Sequence, residues 1–163
     1  MAITKKETSY TLSLDIPSEI RGTDRDELLA DISEFLVTEM IIQIEAGHSP
    51  VKGVGDFKPL STKYANDQKG GNRLANLDLN GDMLNALTSE IVGRNKIKVG
   101  IFDESQAIKS YGHNTGFKGH KILEKKGVKR QFIPNPDQKL AKDITKTIEE
   151  MIAEKLAEVK DNG

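Results

Sequence analysis

The chain has 163 residues, a net charge of −1 with neutral histidines, and no cysteine. This length suits one domain with its own core, and the lack of cysteine excludes disulfide frameworks, thiol catalysis and cysteine-built zinc sites. No apolar run approaches the roughly 20 residues of a transmembrane helix, and the first residues lack the apolar core of a signal peptide. We therefore expect a single domain over 1–163 in a reducing, cytoplasmic setting.

The first predicted elements are a strand and a long helix. Apolar and polar residues alternate over 9–16, the period of a strand with one buried face, which Pro17 ends. Apolar residues then recur every three or four positions over 24–46. Thr23 is the predicted N-cap of this amphipathic helix, and Gly47 is its predicted stop.

The middle of the chain predicts short elements joined by loops. Glycine and proline punctuate 47–58, which favours a flexible surface loop. A short helix over 62–69 runs into a second flexible loop at 68–76, and a helical turn follows over 81–87. Residues 1–7 and 160–163 are expected to be disordered ends.

A hairpin and a long excursion come next. The strands 88–92 and 96–102 flank the turn residues Gly93-Arg94-Asn95 and predict an antiparallel pair. A short helix over 104–111 follows. The glycine-containing stretch 112–130 has no clean period and is predicted to be a long flexible loop.

The last predicted elements are a short strand over 131–133 and a second long helix over 136–159. The run Asn135-Pro136-Asp137-Gln138 has the residue types of a helix start. Asn135 can act as the N-cap, Pro136 suits the first helical position, and the side chain of Gln138 can hydrogen-bond back to the cap. The predicted fold class is α+β. It is an antiparallel sheet packed against two long amphipathic helices, 24–46 and 136–159, with a long basic loop excursion.

No arrangement of residues predicts catalysis, a metal site or a cofactor. The histidines 48, 113 and 120 have neither a nucleophile elbow nor a zinc spacing. The run Asp78-Leu79-Asn80-Gly81-Asp82 resembles a calcium loop, but its glycine stands at the fourth position and Ser89 stands at the twelfth. The paired glycines lack the lysine of a phosphate cradle. We expect a protein that is not an enzyme and carries no cofactor.

The strongest charge feature is the basic segment 118–130, whose six basic residues and one acidic residue give a net charge of +5. The other 150 residues carry −6, so the molecule is polarised, and the basic segment suits an acidic partner or a phosphate backbone. A merely solvated lysine-rich loop is the equally weighted alternative. Specific nucleic-acid recognition ranks lower because no aromatic residues are interleaved for stacking. The predicted partner-binding residues are Lys118, Lys121, Lys125, Lys126, Lys129 and Arg130.

Several short fragments occur in a characteristic order. They are Phe57-Lys58-Pro59-Leu60-Ser61-Thr62-Lys63-Tyr64-Ala65 with Lys69, then Gly81-Asp82-Met83-Leu84-Asn85-Ala86-Leu87, then Val99-Gly100-Ile101, then Ala107, Tyr111, His113 and Gly116, and finally Arg130-Gln131-Phe132-Ile133-Pro134. In this order they resemble the virion morphogenesis and tail-completion family of tailed bacteriophages. The family's usual His-Gln-x-Gly is His113-Asn114-Thr115-Gly116 here, and no proline precedes Arg130.

The resemblance implies a non-enzymatic virion protein of the phage neck. Such a tail-completion, tail terminator-like protein forms a homo-oligomeric ring that joins the tail tube to the head-side connector. Its implied partners are its own copies, the neighbouring connector and tail-tube proteins, and DNA that passes through the channel without sequence-specific binding, with no membrane involved. A head-side connector or adaptor ring is the alternative within this class, and a nucleic-acid-binding module using 118–130 is the alternative from another class.

Overall fold

The computed structural model describes residues 8–59, 62–68, 70–72, 82–115 and 130–162. These residues contain three strands and five helices, which confirms the α+β class. In chain order the elements are β1 (Thr8–Ser13), α1 (Thr23–Glu45), α2 (Thr62–Gln68), α3 (Asp82–Asn85), β2 (Leu87–Ile91), β3 (Lys96–Ile101), α4 (Glu104–Thr115) and α5 (Lys142–Asn162).

The three strands form one antiparallel sheet in the order β1-β3-β2. β3 pairs with β1 from Thr8 opposite Ile101 to Ser13 opposite Lys96, and with β2 from Leu87 opposite Ile101 onward. The predicted hairpin is therefore confirmed, with bounds shifted by one residue. Since β1 and β2 are both antiparallel to β3, they run parallel to each other at opposite edges of the sheet.

One face of the sheet is buried and the other is polar. Side chains alternate along a strand, and Ile97, Val99 and Ile101 of β3 share the face that is fully buried. α1 packs on this face, where Ser33 of α1 hydrogen-bonds Ser89 of β2 through their hydroxyl groups. Exposed residues of the opposite face include Thr11, Ser13, Thr88 and Glu90.

The first long helix agrees with its prediction except at its N-cap. The buried residues of α1 are Leu28, Leu29, Ile32, Leu36, Met40 and Ile44, which form the predicted apolar stripe. Thr23 is the first helical residue and not the cap, because Gly22, with φ of 59°, occupies that position without a side-chain bond. Gly47, with φ of 83°, ends the helix as predicted. The N–H of His48 then donates to the carbonyl of Gln43 at 2.8 Å, as in a Schellman motif.

The second long helix begins later than predicted. α5 covers Lys142–Asn162, so the predicted start at 136 is wrong by six residues, and the helix includes residues 160–162 of the predicted disordered end. The predicted start residues do form a turn: Gln138 N–H donates to Asn135 O at 2.9 Å, and Gln138 Oε1 accepts from Asn135 N–H at 2.9 Å. That turn does not propagate into a helix.

A tertiary contact prevents the turn at 135–138 from continuing into a helix. Leu140 is buried and forms an isolated antiparallel bridge with Val51. The N–H of Lys52 donates to Lys139 O at 2.8 Å, and the N–H of Ala141 donates to Pro50 O at 2.7 Å. Residues 139–141 therefore take an extended path along the 47–58 segment, and the helix starts only after these bonds are made.

Three shorter predictions also differ from the structure. β1 ends at Ser13 and not at Ile16, because the N–H of Leu14 donates to Asn95 O at 2.8 Å. α4 extends to Thr115, four residues beyond the predicted end at 111. Residues 131–133 are not a strand, because their backbone bonds go to a side chain of α4 that is described below.

The two long helices pack antiparallel to each other. Near the C-terminal end of α1, Gln43 Nε2 donates to Asp143 Oδ2 at 2.9 Å. Near its N-terminal end, Lys155 Nζ lies 3.2 Å from Glu27 Oε2 and 3.6 Å from Asp24 Oδ1. α5 thus contacts the sheet-covering helix and extends the helical layer. None of the described helices is long and apolar enough to cross a membrane.

Candidate interaction surfaces

Two of the three histidines, His48 and His113, lie in the described part of the chain. Nδ1 of His48 contacts Oδ1 of Asp56 on the exposed side of the 47–58 segment, where the same two residues form a backbone bridge. His113 lies on α4. Among the residues that the structure describes, no three histidine, aspartate or glutamate side chains are grouped so that they could hold a metal ion.

Most of the predicted partner-binding residues lie outside the described part of the chain. These are Lys118, Lys121, Lys125, Lys126 and Lys129. The structure does describe the residues on either side of 116–129. The N–H of Arg130 donates to the carbonyl of His113 at 2.8 Å, so the two ends of this stretch are fastened to each other.

Arg130, the one predicted partner-binding residue that is described, makes contacts within the chain. Its Nε donates to Lys58 O at 2.9 Å, and Nη2 donates to Pro59 O at 3.3 Å. These bonds cross more than 70 positions of sequence and join the end of the basic segment to the chain that precedes α2. Arg130 therefore positions the base of the basic segment, whatever else its guanidinium contacts.

Asn114 of α4 holds the chain that follows Arg130. Its side chain is 7% exposed, and Phe132 and Ile133 beside it are fully buried. Asn114 Oδ1 accepts from the N–H groups of Phe132 at 2.9 Å and Ile133 at 2.8 Å. Asn114 Nδ2 donates to Ile133 O at 3.0 Å. One amide thus satisfies three buried backbone groups, which explains why residues 131–133 need no strand partner.

Gln131 adds a second buried polar connection. Its carbonyl accepts a hydrogen bond from the hydroxyl of Ser49, and its Nε2 donates to Ile133 O at 3.1 Å. The side-chain amides of Gln131 and Gln138 bond to each other in both directions. We call the residues His113, Asn114, Arg130, Gln131, Phe132 and Ile133 the stem. The described residues on either side of 116–129 are thus fixed to each other and to the 47–58 segment.

The edges of the sheet form the second candidate surface. Within the described residues, no strand pairs with the outer side of β1 or of β2. Ile91 and Val92, at the end of β2, are 47% and 46% exposed, and Ile42 of α1 is 52% exposed. Unpaired strand edges and exposed aliphatic side chains are features of surfaces that contact other chains.

A groove runs between the end of β1 and α5. Its volume is about 380 Å³. Polar side chains at its rim include Asp15 and Glu149. Its apolar lining comes from Leu12, Leu14, Pro17, Ile148, Ile152 and Leu156.

Sequence reasoning did not anticipate the stem or the groove. Asn114 falls in the stretch 112–130 that was predicted to be a loop, so it was not recognised as a residue of α4. Ile152 and Leu156 belong to the apolar stripe that predicts a buried helix face, yet both are only half-buried. The continuation of the apolar stripe into the C-terminal half of α5 is the signal that could have indicated an apolar surface there.

Comparisons of the chain with protein-family models, with curated proteins and with solved structures find no match. Arg130, in the last of the fragments that carry the phage-family resemblance, bonds Lys58 and Pro59 of the first fragment and His113 of the fourth. Fragments far apart in the sequence are thus neighbours around the stem.

Proposed function

We propose that this protein is a structural virion protein of a tailed phage, a neck or tail-completion ring that joins the tail tube to the head-side connector. The observation that carries the proposal is the convergence of the family-like fragments at Arg130, which bonds Lys58, Pro59 and His113. If the resemblance reflects a shared structural unit, fragments that are far apart in the sequence are expected to meet in the fold. Chance similarity gives no such expectation.

The sheet supports a ring mechanism. A ring needs two different surfaces on each copy, because heterologous contacts close when their rotation closes. β1 and β2 supply two different edges on opposite sides of one sheet. We assign the contacts between copies to these edges and to α1, where Ile42 is exposed.

The basic segment supports docking on a second protein. The basic segment carries a charge of +5, whereas the rest of the chain carries −6. A partner with an acidic surface would therefore be attracted to this segment. The stem presents it at one place on the molecule. We assign this segment to the contact with a neighbouring ring of the neck, on the head side or the tail side.

The decisive experiment is to look for the chain in virions. Particles of the phage that encodes it are purified, and their proteins are quantified by mass spectrometry against the portal and the major capsid protein. We expect a small copy number per particle, as a single ring requires. Antibody against the chain, bound to gold, should label the junction of head and tail in electron micrographs. Absence from purified particles, or label spread over the capsid, would overturn the proposal.

A further inference from the structure

We infer that each copy inserts its hairpin tip, residues 91–96, into the groove between β1 and α5 of the next copy. The proposed occupant of the groove is thus a second copy of this chain. This inference deepens the proposed ring and rests on it. Four observations support it: the exposed apolar residues of the tip, the direction of the strands, the charges on the two surfaces, and the fixed shape of the tip.

The tip and the groove match in polarity. Ile91 and Val92 each expose nearly half of their surface on the tip. Ile91 lies on the same face of the sheet as Leu12 of the groove, whereas Val92 lies on the opposite face with Ser13. The groove offers Leu12, Ile152 and Leu156, all half-buried. Contact between these surfaces would remove apolar area from water on both copies, which is the main favourable contribution to association.

The strand directions place the two surfaces at the same level. Ser13, at the end of β1, pairs with Lys96, and the N–H of Val92, just after β2, donates to the carbonyl of that same Lys96 at 3.1 Å. Ser13 and Val92 therefore lie on one line across the sheet. If neighbouring copies continue the sheet with their strands in the same direction, Val92 of one copy lies beside Ser13 of the next.

The charges of the two surfaces are opposite. Arg94 and Lys96 are exposed on the tip, and Asp15 and Glu149 are exposed at the rim of the groove. None of the four forms an ion pair with another described residue. Because Leu14 bonds Asn95 of its own copy, Asp15 lies near the tip of the same copy. The charge contribution specific to the contact between copies is therefore the attraction of Arg94 on one tip for Glu149 on α5 of the next copy.

The tip also has a fixed shape before it binds. Asn95 bonds the backbone of Leu14 twice: its carbonyl accepts from Leu14 N–H at 2.8 Å, and its Nδ2 donates to Leu14 O at 3.1 Å. A turn that is already ordered loses less conformational entropy on binding than a free one.

Disulfide trapping tests the inference directly, because the chain has no cysteine of its own. The variant Ser13→Cys/Val92→Cys carries both cysteines in one chain. They are separated by two strand spacings, about 9.6 Å, so a bond within the chain is excluded by the reach of a disulfide, about 7 Å between Cα atoms. We expect mild oxidation of the full-length protein to give a ladder of covalent oligomers on non-reducing gels.

Single-cysteine variants distinguish parallel from antiparallel contact between the sheet edges of neighbouring copies. Mixing Ser13→Cys protein with Val92→Cys protein should give a heterodimer, whereas each alone should stay mainly monomeric. The matched control is Thr88→Cys, an exposed residue of β2 on the same face as Val92 but about 13 Å away along the strand. Its mixture with Ser13→Cys should give little heterodimer. A stronger product with Thr88 than with Val92 would show antiparallel contact and overturn the inference.

A charge exchange supplies the second test. In the Ser13→Cys/Val92→Cys protein, Arg94→Glu should lower the yield of cross-linked oligomers about tenfold, and adding Glu149→Lys should restore much of it. Failure of the ladder to form, or a ladder unaffected by Arg94→Glu, would overturn the docking of tip into groove. If purified virions nevertheless contain the chain at their head–tail junction, the proposed function stands and only this interface is wrong.

Discussion

Asn114 and Ile133 are joined by two hydrogen bonds: Asn114 Oδ1 accepts from Ile133 N–H at 2.8 Å, and Asn114 Nδ2 donates to Ile133 O at 3.0 Å. The side-chain amide thus makes the pair of bonds that a neighbouring strand would make. It fixes residues 132 and 133, which follow the basic segment, against the last turn of α4. Within the stem, Asn114 is the side chain that holds the backbone of Phe132 and Ile133.

Replacement of Asn114 by alanine should destabilise the protein. It leaves the buried N–H groups of Phe132 and Ile133 without their acceptor, whereas Ile133 O keeps the hydrogen bond from Gln131 Nε2. Each unsatisfied group of this kind costs about 1–3 kcal/mol. We expect the free energy of unfolding to fall by about 3 kcal/mol, measured by urea denaturation. Asn114→Asp should restore only part of the loss, because its carboxylate can accept from the N–H groups of Phe132 and Ile133 but cannot donate to Ile133 O, and its charge is costly to bury.

Asn162→Ala is the matched control, since Asn162 is exposed at the end of α5. Its free energy of unfolding should stay within about 0.5 kcal/mol of the wild-type value. If Asn114→Ala were as mild as this control, the stem would not depend on Asn114.

Gly100 is expected to tolerate no side chain. A Cβ atom there would lie 2.2 Å from the carbonyl oxygen of Thr8 and 2.7 Å from Cα of Ser9. Since both are backbone atoms of β1, the pairing of β1 with β3 would have to shift. We expect Gly100→Ala to lower the free energy of unfolding by about 3 kcal/mol, and hydrogen exchange of the β1 amides to become faster.

Gly93→Ala provides the comparison, because a Cβ at Gly93 would meet nothing closer than Cβ of Lys96 at 3.9 Å. This variant should be neutral or slightly more stable than the wild type, since alanine restricts the unfolded chain. Equal stability of the two variants would show that close approach of β1 does not determine the residue at position 100.

Local sequence patterns correctly predicted the elements whose structure is determined by residues close together in the sequence. The apolar stripe of α1 and the stop at Gly47 are properties of the helix itself, so the sequence pattern is sufficient. The turn residues at 93–95 likewise determine a hairpin between alternating strands. In these places nothing distant competes with the local preference.

Long-range contacts decided the places where prediction was wrong. Asn135 and Gln138 form the bonds of a helix start, but Leu140 pairs with Val51, more than 80 positions away, and delays the helix. Residues 131–133 were predicted to be a short strand, but Asn114 takes the bonds of the strand partner. The groove and the stem were missed for the same reason, because each is formed by segments that are distant in the sequence.

Lys155 should make stability depend on pH at alkaline values. The hydrogen bond to Glu27 is the main cause that raises the pKa of Lys155 above its ordinary value of 10.5, with Glu158 and Asp24 adding to it. A raised pKa in the folded state stabilises the protein while the ammonium is charged. We expect wild type to exceed Lys155→Met in free energy of unfolding by a constant amount below about pH 10. The difference should shrink as the pH rises through the raised pKa.

Lys146→Met is the control on the same helix, because Lys146 is exposed and has no ion pair with a described residue. Denaturation curves at several pH values between 7 and about 11 supply the measurement, and added salt should reduce the contribution of Lys155. A difference that stayed constant up to the highest pH would mean that Lys155 stabilises the helix pair through its methylene groups only.

Charge reversal in the basic segment should block the joining of heads and tails. A phage that lacks the gene is supplied with the variant Lys121→Glu/Lys125→Glu/Lys126→Glu from a plasmid. If this segment docks on an acidic neighbour, repulsion replaces attraction, and filled heads and free tails should accumulate in electron micrographs. The control is Lys142→Glu/Lys146→Glu/Lys160→Glu, which makes the same change in net charge on exposed residues of α5 and should still yield infectious particles.

The same triple variant separates protein docking from nucleic-acid binding. If the basic segment contacts protein, the purified wild-type chain should show no binding to duplex DNA at low salt. A module that neutralises several phosphates would bind, and its affinity would fall steeply as salt is raised because counterions are released. Steeply salt-dependent binding that disappears in the triple variant would therefore favour the nucleic-acid-binding alternative, even if the variant also failed to assemble virions.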